Sequence, residues 1–178
     1  MTQYSHRLRL AHGHANDESP VSEEGPASGL RSVYVHPGQM FASSVPHAIT
    51  TILGSCVAVC LWDPRTGAGG MNHYVLPYRV LDQGRSGRFG DVALRSLVER
   101  MESLGAARSD LSAKVFGGAS LLGDAKPPRE PIGAKNVALA LDMLKDAGIQ
   151  VVAKDVYGDT GRKLVFHTND GTAWVRRL

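Results

Sequence analysis

The run Cys56 to Trp62 (CVAVCLW) carries no polar residue, and it ends in Asp63-Pro64-Arg65-Thr66-Gly67, a dense cluster of turn residues. A strand that is apolar on both faces has to be covered on both, so this segment cannot lie on an open sheet face. The chain is long enough to do the covering. With 178 residues, 43% of them hydrophobic, it supports one globular domain with a real core and is too short for a multidomain assembly.

Residues 1 to about 30 are rich in Ser, Glu, Gly, Pro and His and show no apolar period, so they read as a flexible tail ahead of a domain spanning 31–178. The domain opens with a short strand in SVYVHPG, stopped by Pro37-Gly38, and a β-branched run from His47 to Leu53 that ends at Gly54. Met71 to Leu76 returns after the turn as another strand. Phe89 to Leu104 and Asn136 to Ala147 repeat apolar residues every three or four positions, and each closes on a glycine, so both read as helices with one buried face. Strands at Lys114 to Ala119 and Ile149 to Val156 flank the second helix. Arg162 to His167 and Thr172 to Arg176 read as a hairpin turning at Asn169-Asp170-Gly171. Most strand links are too short for parallel crossovers. The expected fold is therefore α/β: mostly antiparallel or mixed sheets packed with two main helices in a single compact domain.

Several functions are disfavoured by what the chain lacks. No stretch approaches the ~20 apolar residues of a membrane span, and the first residues have no apolar signal core, so a cytoplasmic protein without membrane insertion is expected. The formal charge is only +3 and no basic block stands out, which argues against a nucleic-acid partner. Cys56 and Cys60 on one strand would stand ~13 Å apart, beyond the ~7 Å that a disulfide spans. The same separation argues against a zinc site built from Cys56, Cys60 and His73. The glycines at 67, 69 and 70, and at 117 and 118, do not lead from a strand into a helix with a Lys-Ser/Thr ending, so no phosphate loop and no cofactor is expected.

What remains is thiol chemistry. Gly54-Ser55-Cys56 places a thiol just after a permissive glycine, where a backbone amide can approach a developing oxyanion. The blander reading of Cys56 is a small buried hydrophobe. The hairpin decides between them through its register. A two-residue turn at Pro64-Arg65 would set Cys56 directly opposite His73. A four-residue loop, Pro64 to Gly67, pairs Cys56 with Val75 and leaves His73 one diagonal step away on the same face. A three-residue loop would put the two side chains on opposite faces. Pro64 disfavours the tight primed turns, so the four-residue loop is expected. A cysteine and histidine so placed can perform acyl transfer: the imidazole takes the thiol proton, sulfur attacks a carbonyl carbon, and the imidazolium protonates the leaving group. Thr50, Thr51, Ser43, Ser44 and Asn72 all lie at spacings that could orient the imidazole. His36, His47 and His167 read as strand-end or surface residues, and Arg85 and Arg88 as part of a solvated loop.

The stretch from Leu53 to Pro77, LGSCVAVCLWDPRTGAGGMNHYVLP, resembles the signature of the CheD family of chemoreceptor glutamine deamidases. VYVHPG (33–38), RFGD (88–91), KVFGGA (114–119), IGAKNV (132–137) and DVYGDTGR (155–162) resemble further family segments in the same order, so the likeness covers nearly all of residues 32–178. The resemblance implies Cys56 as nucleophile, His73 as general base and acid, and Thr50 as a third active-site residue. It implies hydrolysis of selected glutamine side-chain amides on the cytoplasmic domains of methyl-accepting chemotaxis receptors, with release of ammonia. It also implies a CheC-type phosphatase as a partner. The alternative is a non-catalytic module of the same fold that docks on receptors or on such a phosphatase.

Overall fold

The computed structural model describes residues 8–10, 29–79, 86–120 and 131–178. The strands, in chain order, are β1 (Leu8–Leu10), β2 (Arg31–Tyr34), β3 (Met40–Ser43), β4 (His47–Leu53), β5 (Val57–Trp62), β6 (Gly69–Asn72), β7 (Ser112–Gly117), β8 (Gln150–Val156), β9 (Arg162–His167) and β10 (Ala173–Arg177). Two α-helices, α1 (Gly90–Ser103) and α2 (Ile132–Asp146), complete the described elements together with a short 3-10 turn at Arg108–Asp110. The expected tail falls outside the described residues apart from β1, which pairs in parallel with β10, and Gly29-Leu30.

The strands form two mixed sheets, one ordered β1-β10-β9-β4-β2 and the other β3-β6-β5-β7-β8. Antiparallel pairing predominates, as expected, but β2 runs parallel to β4 and β7 parallel to β8. The second of these is made possible by α2, which supplies a crossover of the length that parallel neighbours need.

The layering explains the apolar run. Ala58 and Cys60 of β5 face the first sheet, where they meet Ile49 and Leu53 of β4, Leu164 and Phe166 of β9, Met71 and Phe116. Val57, Val59 and Leu61 face the other way, into a cluster with Leu94, Leu97 and Met101 of α1 and Val137, Ala140 and Leu144 of α2. One strand thus serves two cores, and a polar residue at any of these positions would lack a partner. The domain is a stack of sheet, sheet and helices, with β5 in the middle layer.

The hairpin that follows has the four-residue loop. Cys60 pairs with Met71, Leu61 with Gly70 and Trp62 with Gly69, and the Asp63 N–H donates to the Ala68 carbonyl at 2.9 Å. Asp63 closes the turn with its carboxylate, which accepts from the Arg65 N–H and the Thr66 hydroxyl, each at 2.8 Å. β3 has no counterpart in the sequence reading, because it is an edge strand with only Ala42 buried and so carries no alternation to detect.

At one end, the sheets are tied by Arg162. This fully buried side chain projects from β9 of the first sheet to the carboxylate and carbonyl of Asp155 on β8 of the second, and to the carbonyl of Tyr157. Tyr157 itself sits at φ 66°, a left-handed conformation unusual for a bulky side chain.

Candidate active site

His73 follows β6 and is held in place by its own backbone: its N–H donates to the Gln39 carbonyl at 3.0 Å and its carbonyl accepts from Gly38 at 2.7 Å. The imidazole is 2% exposed and lies between the sheets. Its Nδ1 is 2.9 Å from the Thr51 hydroxyl. That hydroxyl also lies 2.7 Å from the Val35 carbonyl. A carbonyl only accepts, so the single hydroxyl proton of Thr51 goes to Val35, and the bond to the imidazole must be donated by Nδ1–H. In the neutral ring this leaves the lone pair on Nε2, which is buried and has no partner among the described residues. Burial pushes the His73 pKa down, as does the neighbouring His36, while the Val35 carbonyl opposes the shift.

Cys56 stands just ahead of β5. Val57 and Tyr74 exchange both backbone hydrogen bonds, at 3.1 and 3.0 Å, and so continue the register of the hairpin to the end of the strand. Carried one residue past its last pairing, that register sets Cys56 opposite Val75 and Ala58 opposite His73, and Cys56 packs against the inter-sheet cluster that contains Ala58, on the side where His73 meets Thr51. Gly117 and Gly118 permit a close approach of the chain from β7. The Gly118 N–H donates to the Cys56 carbonyl at 2.8 Å, and a Cβ on Gly117 would come within 2.1 Å of that same oxygen. Burial raises the Cys56 pKa, opposed by its own backbone N–H and by the cation of Arg88. Burial thus shifts each of the two groups toward its neutral form.

Thr50 and Thr51 are separated by the pleat of β4. Thr51 is fully buried against His73, while Thr50 points to the opposite, outer face of the first sheet and is only half-buried. Of the two threonines that the spacing left open, Thr51 makes the hydrogen bond to the imidazole, and Thr50, which the family resemblance implied, does not. Counting positions back from Cys56 does not reveal this, because Gly54-Ser55-Cys56 lies outside both strands and breaks the alternation between them. The other spacing candidates are engaged elsewhere or exposed: Asn72 Oδ1 accepts from the Val59 N–H at 2.9 Å, Ser43 from the Val45 N–H at 2.9 Å, and Ser44 is at the surface.

Cys60 is 1% exposed in the inter-sheet core, and burial pushes its thiol far up, out of any nucleophilic range. His167, expected at the surface, is instead buried beneath the Trp174 ring, 4.2 Å away between centroids. Arg88 is exposed, while Arg85 lies outside the described residues. Among the described residues, no group of three His, Cys, Asp or Glu side chains is arranged to hold a metal.

One residue near the thiol was given no role in the sequence reading. Asn136 on α2 is fully buried, and its Nδ2 donates to the carbonyls of Ser55 at 3.0 Å and Val75 at 2.9 Å. The signal for it was a polar residue on an apolar stripe, since Asn136, Ala140 and Leu144 succeed one another at four-residue spacing on the buried face of the helix.

Comparison with known proteins identifies the family. A probable chemoreceptor glutamine deamidase, CheD 1, of Anaeromyxobacter dehalogenans is 51% identical over 161 residues, covering 90% of this chain and 93% of its own. Relatives of the same name from Trichlorobacter lovleyi and Sulfurimonas denitrificans are 41% and 40% identical, covering 86% and 80% of this chain and 95% and 92% of theirs. Among solved structures, the hypothetical protein YfiH of Bacillus licheniformis aligns with a TM-score of 0.46 at 14% identity, over 67% of this chain and 51% of its own. The family model for CheD chemotactic sensory transduction matches residues 75–177, and with these full-length relatives it shows that the chain belongs to the CheD family.

Proposed function

We propose that the protein hydrolyses glutamine side-chain amides on chemoreceptors to glutamate, with Cys56 as nucleophile, His73 as general base and acid, and Thr51 as the residue that orients the imidazole. The observation that carries this reading is the chain of bonds from Val35 through Thr51 to His73, because it leaves the basic Nε2 unpartnered on the face that Cys56 shares. In the first step Nε2 takes the thiol proton as Sγ attacks the amide carbon. The imidazolium then protonates the departing nitrogen, and ammonia leaves a thioester. Water, deprotonated by the same nitrogen, attacks the thioester carbon, and glutamate and the free thiol are released. Thr50, which the family resemblance singled out, is the competing assignment for the third residue.

Names of the relatives support chemoreceptors as the substrate class. A groove of about 700 Å³ beside the site, lined in part by Pro77, Tyr78, Ile132 and Tyr157, suits a macromolecular partner. Pro77 lies two residues past Val75, which faces Cys56 in the hairpin register, and the Tyr157 N–H donates at 2.9 Å to Gly117, whose neighbour Gly118 bonds the Cys56 carbonyl. A receptor segment or a CheC-type phosphatase are the partners this reading names. The test is incubation of a receptor cytoplasmic fragment with the protein, followed by peptide mass spectrometry. Conversion of specific glutamines to glutamate is expected with the wild type and not with Cys56→Ala. Binding of the fragment without conversion would leave a docking module in place of an enzyme.

A further inference from the structure

Three consecutive carbonyls around Cys56 are each held by a donor: Gly54 by the Ala119 N–H at 2.8 Å, Ser55 by Asn136 Nδ2 at 3.0 Å, and Cys56 by the Gly118 N–H at 2.8 Å. The outer two donors are backbone amides and come with the fold. The middle one is a side chain, and both its neighbours are carbonyl oxygens, which only accept, so the nitrogen of the Asn136 amide has to face them. Its Oδ1 is buried and has no partner among the described residues. An apolar side chain of similar volume would avoid the cost of that unpaired oxygen, but it would leave the Ser55 and Val75 carbonyls unheld.

A trans peptide is planar, with the N–H opposite the C=O, so a fixed Ser55 carbonyl is also a fixed Cys56 N–H. That N–H lies against its own sulfur, where it favours the thiolate, and it has no other partner among the described residues. It is therefore a free donor beside the reacting atom, which is the requirement for stabilising a tetrahedral intermediate.

We propose that Asn136 is a positioning residue for acyl transfer: by holding the Ser55 carbonyl it aims the Cys56 N–H at the oxyanion, and by holding the Val75 carbonyl it locks that peptide to the strand carrying His73. The proposal rests on the deamidase reading. As Sγ bonds to the amide carbon, the carbonyl π pair moves onto oxygen, and the aimed N–H meets the charge there. When the pair returns, the carbon–nitrogen bond breaks. Without Asn136 the Ser55–Cys56 peptide is held only through the flanking Gly54 and Cys56 carbonyls and can tilt between them, so sulfur still attacks simple electrophiles while the oxyanion goes unstabilised.

The test compares the whole protein with Asn136→Ala and with Asn136→Leu, which keeps the side-chain volume, after circular dichroism has shown each to be folded. Three quantities are measured: deamidation of a receptor fragment, inhibition by a peptide aldehyde that carries glutamate semialdehyde in place of glutamine, and the plateau rate of Cys56 alkylation by iodoacetamide at high pH. The expected result is a fall in kcat of about 10²–10³-fold, as for a lost oxyanion donor, with KM little changed. Aldehyde affinity should fall in parallel while plateau alkylation stays near wild type. Wild-type kcat in either folded variant overturns the proposal. So does alkylation that falls together with kcat, because the sulfur itself would then have moved. A wild-type protein that leaves receptors untouched, yet binds the aldehyde with this dependence on Asn136, would sink the substrate assignment and keep the positioning role. A wild type that does neither sinks both.

Discussion

At the residue scale, the two cysteines are separated by burial rather than by chemistry. Cys56 is partly accessible, whereas Cys60 is sealed in the inter-sheet core. Cys56→Ala is expected to abolish turnover and Cys60→Ala to preserve most of it. Alkylation followed by peptide mapping checks the order, and faster labelling of Cys60 in the folded protein would refute it. His73→Ala should lower kcat/KM by about 10²–10⁴-fold, the usual contribution of a general base. It should not raise the thiol pKa, because burial already disfavours the charged form of the imidazole. The same depression places the acid limb of the activity profile below the ordinary histidine value of about 6.5. A limb above that value in kcat/KM against pH would contradict the geometry. Thr51→Ala should reduce kcat by loosening the imidazole, and Thr51→Ser should restore much of it. Thr50→Ala should be nearly silent, and a larger loss there than at Thr51 would return the third position to Thr50.

At the scale of elements, the site depends on how closely the end of β7 approaches the start of β5. Gly117 has φ 108°, outside the range of other residues, and a Cβ there would meet the Cys56 carbonyl oxygen at 2.1 Å. Gly117→Ala is therefore expected to cost at least about 1–3 kcal/mol and to displace the nucleophile. Denaturant unfolding and deamidation rate should fall together, and a variant with unchanged stability would show that the strands have room to part. The helices and most strands were legible because each buries one face in a regular period. The start of α2 lies at Ile132, ahead of the expected Asn136, because its first turn packs through Gly133 against Gly118 and so adds no side chain to the apolar period.

For the molecule as a whole, Arg162 is the buried charge that joins the two sheets near the site. Arg162→Met would leave the Asp155 carboxylate buried with Arg177, 3.6 Å away, as its one cation among the described residues, and should destabilise the fold by about 3–5 kcal/mol. Chemical denaturation measures this, and a loss well below that range would mean that Arg177 takes over the pairing. The buried histidines add a pH dependence. Burial lowers the pKa of both His73 and His167 relative to the unfolded chain, so their contribution to stability is complete above about pH 6.5 and is lost as the pH falls through their folded values. The melting temperature should therefore drop on acidification, and His167→Gln should flatten that drop. An unchanged slope in the variant would assign the effect to other groups.

The sequence by itself determined the buried middle strand, the hairpin register and hence the common face of Cys56 and His73, since all three follow from local rules: apolar continuity, turn chemistry and the two-residue period of a strand. Tertiary structure alone decided which threonine serves the imidazole, because β4 and the hairpin belong to different sheets and no local period relates one to the other. It alone gave Asn136 its partners, through hydrogen bonds that join residues 81 and 61 positions apart. It also decided that His167 is covered, through the ring of Trp174 on a neighbouring strand. Contacts made within an element are written in its periodicity. Contacts between sheets and helices depend on how finished elements pack, and that is fixed only when the whole core closes.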